Sequence, residues 1–549
     1  MKPSADGQCN NNNSSTVRRI VAALVGLIRF FLFQVNPFWQ ELVYFLLLSG
    51  AGFMSLKVSR PRRRPPPANV DLFFTAVSAS TVSSMSTVDM EVFSSLQLVF
   101  MTFMMFLGGE VFTSMIGLLL VKSKMKRRIP NVFTAGADSD RVAAGDGVEI
   151  GKVCVHPNLW EKNPRDDGDS LKLKSVALLS TVVSVYLLAA TLSGSIAIFV
   201  YLSSIPSARR ILRRKGLNLQ VFAVFTAVST FTNCGYVPTN ENMAVFKKNS
   251  GLLLILIPQI LMGNTMYPIC LRASIWVAGK FTRSKKKEYR YMAENGGKLG
   301  YDHLLAGRRC VYLGMSGLGF IALQLAVFCA MEWKSAAVGG GGLNGYQKLV
   351  ASLFQVVNSR HTGELVFDLS AISSAVLVLF VFMMYLPPYT SYAPISEGDT
   401  TKIRDDDCDN NDNNNDHDVD DICKVRRENK KMKLLQGGFW ENMFFSQLTY
   451  LTIFVILICI TERHSIKTDP LNFNVLNVVV EVISAYGNVG FSVGYSCARQ
   501  ITPDGRCKDA SYGFAGRWSN EGKFVLIIVM FFGRLKKYTR RGGRAWALQ

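Results

Sequence analysis

The chain has 549 residues, of which 49% are hydrophobic, with 36 Phe and a formal net charge of +21. That apolar content excludes an ordinary soluble protein of this length. The positive charge sits in short clusters between apolar runs, with no soluble basic domain, so nucleic-acid binding is excluded as well.

The first apolar run, "IVAALVGLIRFFLFQV", is interrupted by Arg29 and followed by no small-residue cleavage site, so it does not read as a removable signal peptide. Longer runs follow, among them "FWQELVYFLLLSGAGFMSL", "LQLVFMTFMMFLGGEVFTSMIGLLLV" and "SVALLSTVVSVYLLAATLSGSIAIFVYL". About 20 apolar residues suffice to cross a hydrocarbon core. The runs form pairs: 38–56 with 95–121, 175–202 with 251–277, 309–331 with 371–387, and 439–460 with 521–538. Each pair encloses a semi-apolar stretch that ends in a short polar loop. The four stretches are "FFTAVSASTVSSMSTVDMEVF", "LQVFAVFTAVSTFTNCGYVPTN", "LFQVVNSRHTGELVFDLS" and "LNVVVEVISAYGNVGFSVGY". Their loop ends align at Ser84, Gly235, Gly363 and Gly490.

This repetition predicts an all-α membrane protein of four membrane–pore-loop–membrane repeats, eight transmembrane helices around a central ion pathway. The expected boundaries are an N-terminal cytoplasmic tail 1–35, repeat A 36–121, a linker 122–173, repeat B 174–277 and a linker 278–307. Repeat C follows at 308–388, then a linker 389–436, then repeat D with the C-terminal tail 437–549. The third linker holds "DDDCDNNDNNNDHDVDD", which lacks the central Gly and terminal Glu of a calcium loop and reads as disordered. The basic clusters "KSKMKRR", "KFTRSKKKEYRYM", "KVRRENKKMK" and "GRLKKYTRRGGR" place the linkers and both termini in the cytoplasm. Two clusters, "KVSRPRRRPPP" and "ARRILRRKG", run against that orientation.

Irregular backbone at membrane depth is tolerated where it is buried in protein or lines a watery path. Four such loops meeting at an axis would offer carbonyl oxygens in place of an ion's hydration shell. The short helix before each loop would point its partly negative end at the same place. Glycine suits the ring positions because it reaches left-handed dihedrals. Ser84, Gly235, Gly363 and Gly490 are therefore the expected selectivity filter. Their neighbours Val82, Ser83, Asn233, Cys234, His361, Thr362, Asn488 and Val489 complete it. Asp89, Glu91, Glu241 and Glu364 follow the loops. They either concentrate cations at an outer mouth or hydrogen-bond loop amides and hold the loop shape. In the fourth loop the carboxylate, Glu481, precedes the filter.

Glu110 lies within a span and calls for a basic partner. His361, beside Arg360, reads as a buried orienting side chain before it reads as a pH sensor. Asn264 is placed to satisfy backbone freed by Pro268. Arg534 and Lys536 stand at the inner end of the last span, as functional charges or as side chains reaching the headgroups. Lys537 reads as the stronger headgroup candidate. The 11 Cys lack zinc spacing, but Cys497 and Cys507 flank an expected outside loop, where a disulfide is plausible.

Taken together, "TVSSMSTVDMEVFS", "FTNCGYVPTNENM", "GNTMYPICLR", "FQVVNSRHTGE", "VLFVFMMYLPPYT", "AYGNVGFSVGYSC" and "VMFFGRLKK" resemble the plant high-affinity K+ transporters, the HKT branch of the Trk/Ktr/HKT superfamily. The resemblance runs from about residue 36 to 540. It implies four repeats around one permeation path, usually in a homodimer, at the plasma membrane. It also implies a basic residue below the filter, at the place of Arg534 and Lys536. Ser at the first filter position resembles the Na+-selective subfamily, whereas Gly in all four repeats marks K+-permeable members. Transported Na+, with K+ as the alternative, is then the only ion implied at the filter, with no cofactor. No "HExxH" or nucleophile elbow occurs, so no enzyme is expected. Na+ homeostasis and salt tolerance follow from the resemblance alone.

Overall fold

The computed structural model describes residues 35–139, 164–390 and 447–536, apart from 64, 340, 341, 502–506, 508, 511 and 512. The N-terminal tail, the acidic linker, most of the C-terminal tail and Lys537 lie outside these residues. Among the described residues the chain is helical, with one isolated antiparallel bridge between Tyr495 and Ala510.

Each repeat follows one order: a first helix, a short helix, a non-helical loop and a second helix. In repeat A these helices are Pro37–Val58, Asn69–Ser80 and Ser95–Gly108, the last continuing as Glu110–Ser139. Repeat B has Pro164–Ser204, Leu219–Phe231 and Ser250–Gly263, continuing as Tyr267–Phe281. Repeat C has Gly307–Glu332, Gly345–Asn358 and Ser374–Tyr385; repeat D has Gln447–Thr461, Val475–Gly487 and Asn520–Arg534.

The helix starts follow from local chemistry. Asn36 accepts a hydrogen bond from the Phe38 N–H at 3.0 Å, with Pro37 in the first turn. Ser94 and Gln97 form a capping box, and Gln97 Nε2 also donates to the Leu56 carbonyl at 2.8 Å, tying the two flanking helices of repeat A together. The short helices have 12, 13, 14 and 13 residues. At 1.5 Å per residue they span roughly 18–21 Å, well short of a ~30 Å hydrocarbon core. They enter the apolar mass and stop inside it.

Among the described residues three helices are long and apolar enough to cross a membrane: Pro37–Val58, Ser170–Ser204 and Gly307–Glu332. Two further pairs qualify only when joined across a bend, by 52° between Ser95–Gly108 and Glu110–Lys126 and by 85° between Ser250–Gly263 and Tyr267–Phe281. The expected continuous spans 95–121 and 251–277 are thus broken helices. Gly109 is extended at the first break, and Asn264 departs from helical dihedrals at the second, just ahead of Pro268. At the second break the Asn264 backbone carbonyl accepts from the Tyr267 N–H at 3.0 Å, while its side-chain Oδ1 has no partner among the described residues.

Glycine sets how closely the second helices approach the short ones. A methyl group on Gly108 would lie 1.9 Å from the Ser80 carbonyl oxygen, on Gly263 1.8 Å from that of Phe231, and on Gly533 2.2 Å from that of Tyr486. Repeat D closes back on repeat A. Lys523 Nζ of its second helix sits 2.8 Å from Asp71 Oδ1 of the first short helix. Arg534 Nη2 donates to the Gly108 carbonyl at 2.6 Å, capping the break in repeat A. The repeats therefore form a ring, with the four short helices and their loops inside it.

Candidate functional site

The loops form because each short helix ends in a tight backbone cap. The N–H groups of Ser83, Cys234 and Val489 reach back to the carbonyls of Ser78, Ser229 and Ser484 at 2.8, 2.9 and 2.9 Å. In each case the residue before them is left-handed: Val82 at φ 52°, Asn233 at φ 58° and Asn488 at φ 52°. Asparagine tolerates that region; a β-branched valine is held there at a cost. The third loop uses another cap, with the Thr362 and Gly363 N–H groups sharing the Asn358 carbonyl at 3.3 and 3.2 Å.

At the ring position all four loops are left-handed, the first, second and fourth for the second time: Ser84 at φ 53°, Gly235 at 85°, Gly363 at 72° and Gly490 at 95°. These four positions meet. A methyl on Gly235 would lie 1.5 Å from the Thr362 carbonyl oxygen and 3.2 Å from Ser84 Oγ. One on Gly363 would lie 2.1 Å from the Val489 carbonyl, and one on Gly490 2.2 Å from Ser84 Cβ. The order A, B, C, D thus closes into one ring of main chain in which Ser84 alone carries a side chain.

The carboxylates sit at different depths. Glu364 is fully buried behind the ring, accepting from Thr230 Oγ1 at 2.5 Å. Glu481 lies on the fourth short helix, buried, and accepts from the Ser492 hydroxyl. Glu91 and Glu241 share one cation: Lys215 Nζ is 2.5 Å from Glu91 and 2.6 Å from Glu241. Arg63 adds a contact to Glu91 at 3.1 Å, and the Arg62 guanidinium donates to the Lys215 carbonyl at 2.8 Å. The two basic clusters that run against the charge rule thus have carboxylate partners. Asp89 is half-buried beside this network.

Burial works against the Glu91 carboxylate. The hydrogen bond from Lys215, the Asn240 N–H and the charges of Lys215 and Arg63 outweigh it and hold the carboxyl below its usual range. A group depressed on folding stabilises above its unfolded pKa, and that contribution is lost as pH falls through the folded value. Glu91→Gln is therefore expected to lower stability at pH 7 by about 1–3 kcal/mol and to flatten the acid limb of the pH–stability curve. Thermal unfolding of purified protein from pH 7 down to pH 3 checks this; identical wild-type and variant curves would contradict it.

His361 is buried behind the third loop, and its Nε2 has no partner among the described residues. Arg360 donates to the carbonyls of Pro387 and Pro388 at 2.9 and 3.2 Å and stacks on Phe320. Lys536 lies over the Tyr486 ring and Arg534 over Phe45. Cys497 and Cys507 are joined in a disulfide, with Cα atoms 5.9 Å apart. Sequence reasoning missed Lys215, Asn240, Thr230 and Asp71. The only available signal was the pair of basic clusters on the wrong side for the charge rule.

Repeated broken-helix pairs around a ring of non-helical main chain define a multi-pass membrane transport protein. The profile of the TrkH family, described as a cation transport protein, matches residues 149–541. The chain is 47% identical to cation transporter HKT1;3 of Oryza sativa subsp. japonica, over 94% of this chain and 93% of that one. It is 48% identical to sodium transporter HKT1 of Arabidopsis thaliana, over 90% of this chain and 92% of that one. Against the probable cation transporter HKT1;4 of Oryza sativa subsp. japonica it is 47% identical, over 93% and 97%. The chain belongs to the TrkH family of cation transporters, in its HKT branch, and is not an enzyme.

Proposed function

We propose that the protein is a plasma-membrane, Na+-selective uniporter that passes Na+ through the ring formed by Ser84, Gly235, Gly363 and Gly490, driven by the membrane potential. The observation that carries this reading is the closed ring of four left-handed residues with a single side chain in it. The short helices end at the ring, so their partly negative ends favour a cation there. Loop carbonyls take the place of water around the ion. Ser84 restricts one quarter of the cage, which disfavours the larger K+. The name of the Arabidopsis relative, a sodium transporter, supports the same choice.

In this reading both termini and the linkers are cytoplasmic, the Glu91–Lys215–Glu241 network lies at the outer mouth, and the assembly is a homodimer. Arg534 and Lys536 stand on the inner side. Arg534 acts there by holding the break in repeat A as well as by its charge. At the level of the organism the activity serves Na+ homeostasis and salt tolerance.

The second reading, K+ uptake or Na+–K+ symport, is tested by the same recordings. Under two-electrode voltage clamp the reversal potential is expected to follow external Na+ and to ignore external K+. A reversal potential that tracks K+, or that needs both ions present, would overturn the Na+ reading.

A further inference from the structure

The four loops are not equivalent just before the ring. Loops B and D carry asparagine two residues before it, Asn233 and Asn488, followed by Cys234 and Val489. Loops A and C carry a hydroxyl one residue before it, Ser83 and Thr362, preceded by Val82 and His361. The two sets interlock across the chain. Asn233 Nδ2 donates to Thr362 Oγ1 at 2.6 Å and to the Ile260 carbonyl at 3.2 Å. Asn488 Nδ2 donates to Ser83 Oγ at 2.7 Å and to the Met530 carbonyl at 3.2 Å. A carbonyl can only accept, so Ile260 and Met530 fix which end of each amide is nitrogen. All four linked side chains are buried.

We propose that these two bridges are latches that set the width of the ring, which makes Asn233, Thr362, Asn488 and Ser83 positioning residues for ion discrimination; this rests on the ion-conducting role of the ring proposed above. Each asparagine grips the very residue whose carbonyl abuts its own ring glycine. The Thr362 carbonyl lies against Gly235, and the Ser83 carbonyl lies 2.9 Å from where a methyl on Gly490 would be. One latch thus fixes the spacing of loops B and C, the other that of loops D and A. At the seams A–B and C–D, Val82 and His361 stand where the latches have asparagine, and Cys234 and Val489 where they have hydroxyls. The amide–hydroxyl latches thus occupy two opposite seams; the A–B seam is held differently, by the Tyr236 hydroxyl donating to the Met85 carbonyl at 2.6 Å just past the ring. A buried polar bridge of this kind holds one arrangement against its alternatives.

The test is the Na+/K+ permeability ratio, from reversal potentials, of Asn233→Gly, Thr362→Val, the double variant and Thr362→Ser. Glycine removes the amide and still adopts the left-handed backbone. Each of Asn233→Gly and Thr362→Val is expected to change the ratio by about two- to tenfold, the range one neutral hydrogen bond commands. The double variant should change it no further than the larger single effect, because one bond is lost once. Thr362→Ser keeps the hydroxyl and should match wild type. Unchanged single variants, or effects that multiply in the double, would overturn the latch. For a variant without current, the difference in melting temperature of the purified protein between Na+ and K+ buffers reads the same site. A shrunken difference supports the latch, and a wild-type difference refutes it. Gly235→Ala separates the two layers. Wild-type current in that variant sinks the ring as ion path, whereas a silent Gly235→Ala beside unchanged Asn233→Gly and Thr362→Val refutes the latches alone.

Discussion

Gly235→Ala is expected to abolish alkali-cation current while leaving the protein at the cell surface. The added Cβ would lie 1.5 Å from the Thr362 carbonyl oxygen, a backbone atom that cannot swing aside. Loops B and C would have to part, and alanine would have to hold φ near 85°. Left-handed strain and overpacking together cost about 3 kcal/mol or more. Applied to ion binding in the ring, that is a loss of roughly a hundredfold or more in current. Gly363→Ala and Gly490→Ala should behave alike, since their added methyls would lie 2.1 Å from the Val489 carbonyl and 2.2 Å from Ser84 Cβ. The controls are Gly50→Ala and Gly117→Ala, where nothing lies within 4 Å of the new methyl. Whole-cell current normalised to surface protein decides the matter. Current in Gly235→Ala equal to that in Gly50→Ala would contradict the assignment.

Ser84→Gly is expected to admit K+ if the ring is the Na+-selective path proposed above. Serine at φ 53° places its Cβ next to Gly490 and its Oγ next to Gly235, so one side chain touches two neighbouring quarters of the ring. Removing it makes the four positions chemically alike and relieves left-handed strain of order 1 kcal/mol. The ratio of K+ to Na+ permeability is expected to rise by about tenfold or more, equivalent to ~1.4 kcal/mol or more of discrimination. Bi-ionic reversal potentials measure it directly. An unchanged ratio would show that selectivity resides elsewhere, for instance in the latches between Asn488 and Ser83.

The repeat order and the ring positions were legible in the sequence because both are local. Polar loops ending in Ser84, Gly235, Gly363 and Gly490 interrupt apolar runs, and the structure brings those four residues together. Glu481 could be placed ahead of the filter, where the fourth short helix holds it, and Cys497 with Cys507 by the loop between them. The broken helices could not be read. An apolar run such as 95–121 reads as one continuous span, and nothing in its composition marks the 52° bend at Gly109, where the helix packs Gly108 against the Ser80 carbonyl. Nor could the destination of the carboxylates. Glu91 meets a lysine 124 positions away, and Glu364 pairs with a threonine from another repeat, so neither stands as a free acid at a mouth. Long-range pairing of this kind leaves no periodic trace in a single chain.

The most direct measurement is an experimental density map of the full-length protein in Na+, compared with one prepared without Na+ or K+. The account predicts an isolated Na+-dependent peak on the ring axis, surrounded by main-chain oxygens from the loops that end at Ser84, Gly235, Gly363 and Gly490. Loops that lie apart or face lipid, or a ring with no ion between its carbonyls in Na+, would contradict it.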